Sequence, residues 1–245
     1  MTGIRYPIKG GQVELLDKMG SDLDIVNAAR VSTGKKSAEF GDKERRLLRY
    51  LWKHKHTSPF EQVVLKFRLR LPIFVMRQLI RYRTARVNEL SGRYAEIPED
   101  FYIPLRLHGQ DEVNKQKSGT PLSVGTDVRL RSLMDEQSKQ AFTLYKKLLK
   151  EGVSREQARL ILPLNAFTEC VWQMDLHNLI KFLFQRLSSD AQDEIRWYAE
   201  EICDVVREEF PETWALLQAD LPRREENIYS VPENLPTPTR FYQGR

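Results

Sequence analysis

From Leu65 to Leu71 the chain alternates apolar and basic residues, with Leu65, Phe67, Leu69 and Leu71 interleaved with Lys66, Arg68 and Arg70. Successive side chains of a strand point to opposite faces, so the pattern predicts a strand with one buried and one basic face. Pro72 ends it. Proline lacks an N–H and holds φ near the helical value, which suits the first turn of a helix. The following residues, IFVMRQLIRYR over 73–83, have helical spacing. Gln78, Arg77 and Arg81 fall three and four residues apart and share a polar stripe, while Phe74, Leu79 and Ile80 face inward.

The basic character continues beyond this helix. Lys66, Arg68, Arg70, Arg77, Arg81, Arg83, Arg86 and Arg93 lie in one stretch opposed only by Glu89, in a chain of net charge +5. Such a concentration of cations is where anions should bind. No apolar run reaches spanning length, and the first residues lack the basic end and apolar stretch of a secretory signal, so a cytoplasmic protein without a membrane partner is expected. Cys170 and Cys203 fall in helical patterns without metal-ligand spacing and are expected to be buried free thiols. His54 and His56 have no companions to complete a ligand set, so no metal site is expected. His108 falls in a loop, as a solvated residue. The length of 245 residues favours one domain over residues 1–221, followed by a Pro-rich polar tail over 222–245 that reads as an extended arm.

Periodicity fills in the rest. A short strand is expected over Gln12–Leu16, then a helix over Asp22–Arg30 that ends in the turn VSTGKK. A helix N-capped by Asp42 carries Leu47, Leu48, Leu51 and Trp52 on one face, and the loop HKHTSP follows. Residues 98–125 read as a long surface loop. A helix over residues 126–150 turns Leu130, Leu133, Met134, Ala141, Leu144, Tyr145 and Leu148 inward and stops at Gly152. Ser154 and Gln157 have the spacing of a capping box, which opens a helix running to about Pro163. Two more helices are expected over 175–187 and 190–210, the second with Ile195, Ala199, Ile202, Val205 and Val206 in register.

The segment RYRTARVNELSGRY, Arg81 to Tyr94, resembles the signature of flavin-dependent thymidylate synthases, in which Arg-His-Arg is followed by seven residues and a serine. TSPFEQ (57–62) and PIFVMRQ (72–78) upstream, with QARLILPLN (157–165) and RLSSDAQDEI (186–195) downstream, resemble further blocks of that family in the same order. The resemblance runs from Val13 to about Phe210. It implies an α+β fold, a small mainly antiparallel sheet flanked by helices with a helical second half, and a homotetramer with active sites between subunits. It also implies a methyltransferase that converts dUMP to dTMP. Methylene-tetrahydrofolate would donate the carbon and FAD, reduced by NADPH, the hydride.

The signature residues suit that chemistry. A nucleotide phosphate is well held by a forked guanidinium and backbone N–H groups, and Ser91, Gly92 and Arg93 offer a hydroxyl, a close backbone approach and the fork. Gly92 also admits unusual backbone angles. By resemblance Gln78, Arg81, Glu89, Leu90, Ser91, Gly92, Arg93 and Arg159 contact the nucleotide, and Arg186 faces the pyrimidine edge, with Arg186 and Ser91 in the catalytic set. C5 of uracil becomes nucleophilic as negative charge develops toward N3 and O4, which a fixed cation stabilises. The flavin is assigned to Ser32, His56, Ser58, Arg81, Tyr82, Arg83 and Glu89, with Asp175, His177 and Lys181 from a later block.

Several positions depart from the family pattern. Tyr82 stands where His is usual, Arg86 where a small residue is usual, and Gln62 where His is usual, while Asp175, His177 and Lys181 replace Asn, Arg and Asn. These departures keep open a relative that acts on UMP or makes a 5-hydroxymethyl product. Neither cysteine has the surroundings of a nucleophile, which disfavours covalent catalysis through sulfur. For Arg186 the alternative is a structural ion pair with Asp190 or Glu194. A nucleic-acid-binding helical module would also account for the basic stretch, but not for the Gln, Glu, Ser and Gly positions that accompany it.

Overall fold

In the computed structural model, which describes residues 8–115 and 117–222, strand β1 (Gln12–Met19) leads to helices α1 (Asp22–Arg30), α2 (Asp42–Lys53) and the short α3 (Ser58–Glu61). Then come β2 (Val64–Pro72), α4 (Ile73–Leu79), β3 (Arg86–Glu89) and a hairpin of β4 (His108–Gln110) and β5 (Ser118–Pro121). The second half comprises α5 (Val124–Lys150), α6 (Arg155–Ala158), β6 (Phe167–Asp175), α7 (Leu176–Arg186), α8 (Asp193–Glu209) and α9 (Pro211–Leu217). The expected tail lies outside the described residues except for Pro222.

The α+β reading holds. β1, β2, β6 and β3 form one antiparallel sheet in that order. The alternation of β2 is realised as predicted: Leu65, Phe67 and Leu69 stand opposite Met174, Trp172 and Cys170, and all six are buried. Phe182 of α7 packs on Trp172 with ring centroids 5.5 Å apart, so α7 closes this face. Side chains at Lys66, Arg68 and Arg86 occupy the other face and are exposed. Arg70 is absorbed by the fold, donating to the Gly10 carbonyl and Asp100 and lying 4.3 Å over the Phe167 ring.

Several elements differ from expectation, each for a local reason. Cys170 is in strand β6 rather than in a helix, because Cys170, Trp172 and Met174 alternate against Glu169, Val171 and Gln173. The helix after Pro72 ends at Leu79, and the Arg81, Tyr82 and Ala85 N–H groups bond to the carbonyls of Gln78, Leu79 and Tyr82. That turn lays Arg86–Glu89 along the edge of β6, and it leaves Ile80 exposed rather than inward. The N-cap of α2 is Gly41, whose N–H donates to Glu44 Oε2 at 3.1 Å, while Asp42 pairs with Arg45. Ser154 caps α6 without a side-chain bond, and the helix gives way after Ala158 to a 3-10 turn, so the capping box does not form. The segment 98–125 contains the β4–β5 hairpin, with His108 on β4. Helix α5 is 27 residues long, about 40 Å at 1.5 Å per residue. It buries Phe142 and Tyr145 but leaves Leu133, Met134 and Leu144 exposed rather than inward. Among the described residues no helix is long and apolar enough to cross a membrane.

The first and last helices of the described fold are joined by one buried carboxylate. Asp22, at the start of α1, accepts hydrogen bonds from the N–H groups of Glu212 and Thr213 at 2.9 and 3.0 Å and from Thr213 Oγ1 at 2.5 Å. It thereby satisfies the free N–H groups at the start of α9. Losing a capping side chain of this kind costs about 1–2 kcal/mol. Asp22→Ala is therefore expected to lower the melting temperature by several degrees while leaving ligand binding unchanged, as a melting curve beside a calorimetric titration will show.

Candidate active site

The sheet brings the signature segment together strand by strand. β3 pairs with β6, and Leu90 N–H continues the ladder to the Glu169 carbonyl at 2.8 Å. Glu89 turns toward the core face, where Thr168 Oγ1 donates to its carboxylate at 2.9 Å. The Ser91 carbonyl then accepts from the Tyr94 and Ala95 N–H groups, and its hydroxyl accepts from the Arg93 N–H at 3.3 Å, forming a tight turn. Arg93 leaves the turn exposed and pairs with Glu156 of α6 at 3.1 Å.

Gly92 has an ordinary backbone conformation, so the expectation of unusual angles is not met. What requires glycine is space: a Cβ there would lie 3.1 Å from Arg159 Cδ and 3.1 Å from Ile97 Cδ1. The structure thus places Arg159 against the Ser91–Arg93 turn, although 66 residues separate Arg93 from Arg159 in sequence. Gln78, on α4, donates to Gln192 Oε1 at 2.6 Å. Arg81 and Arg83 are exposed in the turn after α4, not at a helix end, and form no ion pair among the described residues.

Arg186 is the last residue of α7. Neither Asp190 nor Glu194 pairs with it; Glu194 accepts instead from the Tyr102 hydroxyl at 3.2 Å. Its Nε is buried without a hydrogen-bond partner. Tyr82 lies beside it, the ring centroid 5.3 Å from the guanidinium carbon, and donates its hydroxyl to Gln185 Oε1 at 2.9 Å. Burial pushes the Tyr82 hydroxyl above its ordinary value, which the Arg186 charge partly offsets.

Three flavin candidates share a separate open pocket of roughly 450 Å³, lined by Ser32, His56 and Ser58 together with Val31, Leu51 and Gln62. That volume is in the range of small-molecule and cofactor sites. Behind it a buried network fixes the loop that carries Ser32. Arg30 donates to Ser37 Oγ at 2.5 Å and pairs with Glu44 at 2.9 Å, and Asn27 Oδ1 accepts from the Ser37 N–H at 2.8 Å. The Ser37 hydroxyl holds the Glu44 carboxyl below its ordinary value. Asp175 is committed elsewhere: it N-caps α7, accepting from Asn178 N–H and Nδ2 at 2.9 and 2.8 Å. His177 and Lys181 lie on the same helix, half-buried and exposed, and α7 packs on α3, which carries Ser58. His54 and His56 contact the Tyr50 ring at 4.3 and 5.7 Å. Gln185, Gln192 and Thr168 hydrogen-bond to the candidate residues Tyr82, Gln78 and Glu89 and were not singled out from the sequence. Gln185 precedes Arg186 and Gln192 falls inside the block RLSSDAQDEI, so the blocks themselves carried that signal.

Comparison with known proteins decides the family. The family model described as thymidylate synthase complementing protein matches residues 14–212. The flavin-dependent thymidylate synthase of Thermus thermophilus is 46% identical over 211 residues, 86% of this chain and 77% of that protein. That of Ehrlichia ruminantium is 44% identical over 207 residues, 84% of this chain and 69% of that protein. The chain belongs to the flavin-dependent thymidylate synthase family. Among solved structures, a UMP/dUMP methylase from Streptomyces cacaoi bound with 5-Br dUMP superposes with a TM-score of 0.78 at 33% identity, covering 89% of this chain and 97% of that one.

Within this family fold, the Gly92–Arg159 contact is a sensitive point. In Gly92→Ala a methyl group forces Arg159 or Ile97 to retreat by a few tenths of an ångström. Affinity for a uridine monophosphate, measured by calorimetry, is expected to fall about tenfold, the equivalent of roughly 1.4 kcal/mol, while the melting temperature changes little.

Proposed function

We propose that this protein is a flavin-dependent methyltransferase that converts dUMP to dTMP, with FAD, NADPH and methylene-tetrahydrofolate. Family membership sets the reaction class, and one observation supports the site assignment: among the described residues Arg186 is a cation without a carboxylate partner, its Nε buried and unbonded. A buried donor left unsatisfied is destabilising, and a ligand acceptor relieves it.

On this reading Arg93, Ser91, Arg81, Gln78 and Arg159 hold the nucleotide phosphate and sugar, with Leu90 and Gly92 giving the backbone close approach and Glu89 fixed by Thr168. Arg186 stabilises the negative charge that develops at N3 and O4 as C5 becomes nucleophilic. The hydroxyls of Ser32 and Ser58, the His56 imidazole and the exposed guanidinium groups of Arg81 and Arg83 fit a flavin with its pyrophosphate. When bound, FAD supplies the hydride that completes the methyl group. Asp175 acts through the N-terminus of α7, with His177 and Lys181 on the first turns of the same helix, rather than as a bare flavin ligand. Sulfur chemistry is disfavoured, because burial, helped by the Glu89 charge, pushes the Cys170 thiol up to about 12.

Exposed Leu133, Met134 and Leu144 on α5 support a homotetramer, since apolar side chains on a long helix are commonly covered by another subunit. Cytoplasmic placement follows the expectation from the sequence. The solved neighbour is a methylase of both UMP and dUMP, so the ribose preference of this chain belongs to the same test.

Purified protein is expected to carry or take up FAD and to form dTMP from dUMP with methylene-tetrahydrofolate and NADPH, with the product mass recorded and UMP run in parallel. Protein that neither binds FAD nor methylates either nucleotide would refute the reading. Arg186→Ala is expected to cut turnover by about 100-fold or more, the scale for losing one preorganised electrostatic group, with FAD content unchanged. Arg186→Lys should recover only part of this, since an ammonium lacks the planar fork. Near-normal kinetics in Arg186→Ala, with only its melting curve lowered, would make the residue structural.

A further inference from the structure

Tyr82 is one of the positions where this chain departs from the pattern its signature resembles, and the fold gives the substitution a specific setting. Its ring does not stand free. One edge meets Phe182 with centroids 4.9 Å apart at 79°, its hydroxyl donates to Gln185 Oε1 at 2.9 Å, and the Arg186 guanidinium lies 5.3 Å from its centroid. Phe182, Gln185 and Arg186 are spaced three and four apart on α7 and therefore share one face. Tyr82 itself is fixed in the turn after α4, its N–H bonded to the Leu79 carbonyl and its carbonyl to the Ala85 N–H. A single residue thus joins the α4–β3 turn to the end of α7.

We infer that Tyr82, which the resemblance assigns to the flavin, is instead a positioning residue for Arg186, setting the orientation in which its guanidinium meets the pyrimidine, because its ring contacts are with Phe182, Gln185 and Arg186 of α7; this rests on the proposed function above. One observation and two physical arguments support it. Among the described residues Arg186 has no carboxylate partner, and the contacts that hold it are neutral. An aromatic face attracts a guanidinium without neutralising its charge, which leaves the cation available to a ligand. A histidine in the same place can take up a proton that repels the guanidinium, whereas the half-buried tyrosine hydroxyl, its pKa raised by desolvation, stays neutral. The Gln185 bond anchors the hydroxyl end of the ring, and the edge contact with Phe182 sets the ring plane.

The test is a double-mutant cycle on the FAD-loaded protein. Tyr82→Leu, which removes the aromatic face, is expected to lower kcat for dUMP methylation about 30-fold, with a smaller rise in KM and unchanged FAD content, as for a misplaced rather than absent electrostatic group. Tyr82→Phe keeps the face and should stay within about threefold of the parent, the loss of one hydrogen bond. In an Arg186→Ala background, Tyr82→Leu should cost less than about threefold more, because a residue that acts through Arg186 has nothing left to position. Losses that multiply would overturn the inference. So would a Tyr82→Leu protein with normal kcat and only a lowered melting temperature, or one that has lost FAD. A parent protein inactive on both dUMP and UMP would remove the functional reading and this inference together; an active parent with multiplicative losses would remove the inference alone.

Discussion

The pairing of β2 with β6 is the contact on which the rest of the structure depends. Nine residue pairs, from Val64 opposite Asp175 to Pro72 opposite Phe167, form one uninterrupted antiparallel ladder. It buries Phe67 against Trp172, with each contributing about 1.5–3 kcal/mol or more of apolar burial. The strands are antiparallel, so their C-terminal ends lie at opposite ends of the sheet, and α4 and α7 leave from those opposite ends. Helix α7 then runs back across the core face for about 16 Å at 1.5 Å per residue. That return delivers Arg186 to the turn that follows α4. Without the ladder the two halves of the candidate site would have no fixed relation.

The second organising fact is how the arginines divide. Arg30, Arg45, Arg70 and Arg196 are used up internally: Arg30 by Ser37 and Glu44, Arg45 by Glu212, Arg70 by Asp100 and the Phe167 ring, and Arg196 by Asp193 and the carbonyls of Ser189 and Ala191. Arg81, Arg83 and Arg186 have no ion-pair partner among the described residues. Exposed pairs are individually weak, so the pairing itself says little about stability. The division matters for function because unpaired guanidinium groups gathered near one turn retain their full capacity for an anionic ligand. The net charge alone could not have separated these two sets.

Some of this was open to inspection in the sequence. β2 followed from alternation because one face had to be buried and the other could not be. The helices at residues 22–30, 42–53 and 176–186 followed from apolar spacing that their own burial reproduces. β6 was not read, although Cys170, Trp172 and Met174 alternate with Glu169, Val171 and Gln173. Cysteine and methionine are weak strand signals, and nine residues are too few for periodicity to outweigh flanking helical patterns. The inward assignment of Leu133, Met134 and Leu144 failed for another reason: amphipathic spacing reports which side chains seek cover, not whether the same chain supplies it.

By itself the sequence determined the chemistry available: the signature Arg81 to Tyr94, the later blocks that carry Arg159 and Arg186, and a central half-basic strand. Local order along the chain is enough for that, because motif spacing and alternation are properties of neighbouring residues. Tertiary structure alone decided which of those groups meet. Arg159 lies against Gly92 across 67 residues, and Arg186 meets Tyr82 across 104, in each case because β6 pairs with both β2 and β3 and α7 folds back over the sheet they form. Contacts at such separation depend on which strands pair and on where the following helix runs, which the side-chain pattern within one segment does not encode.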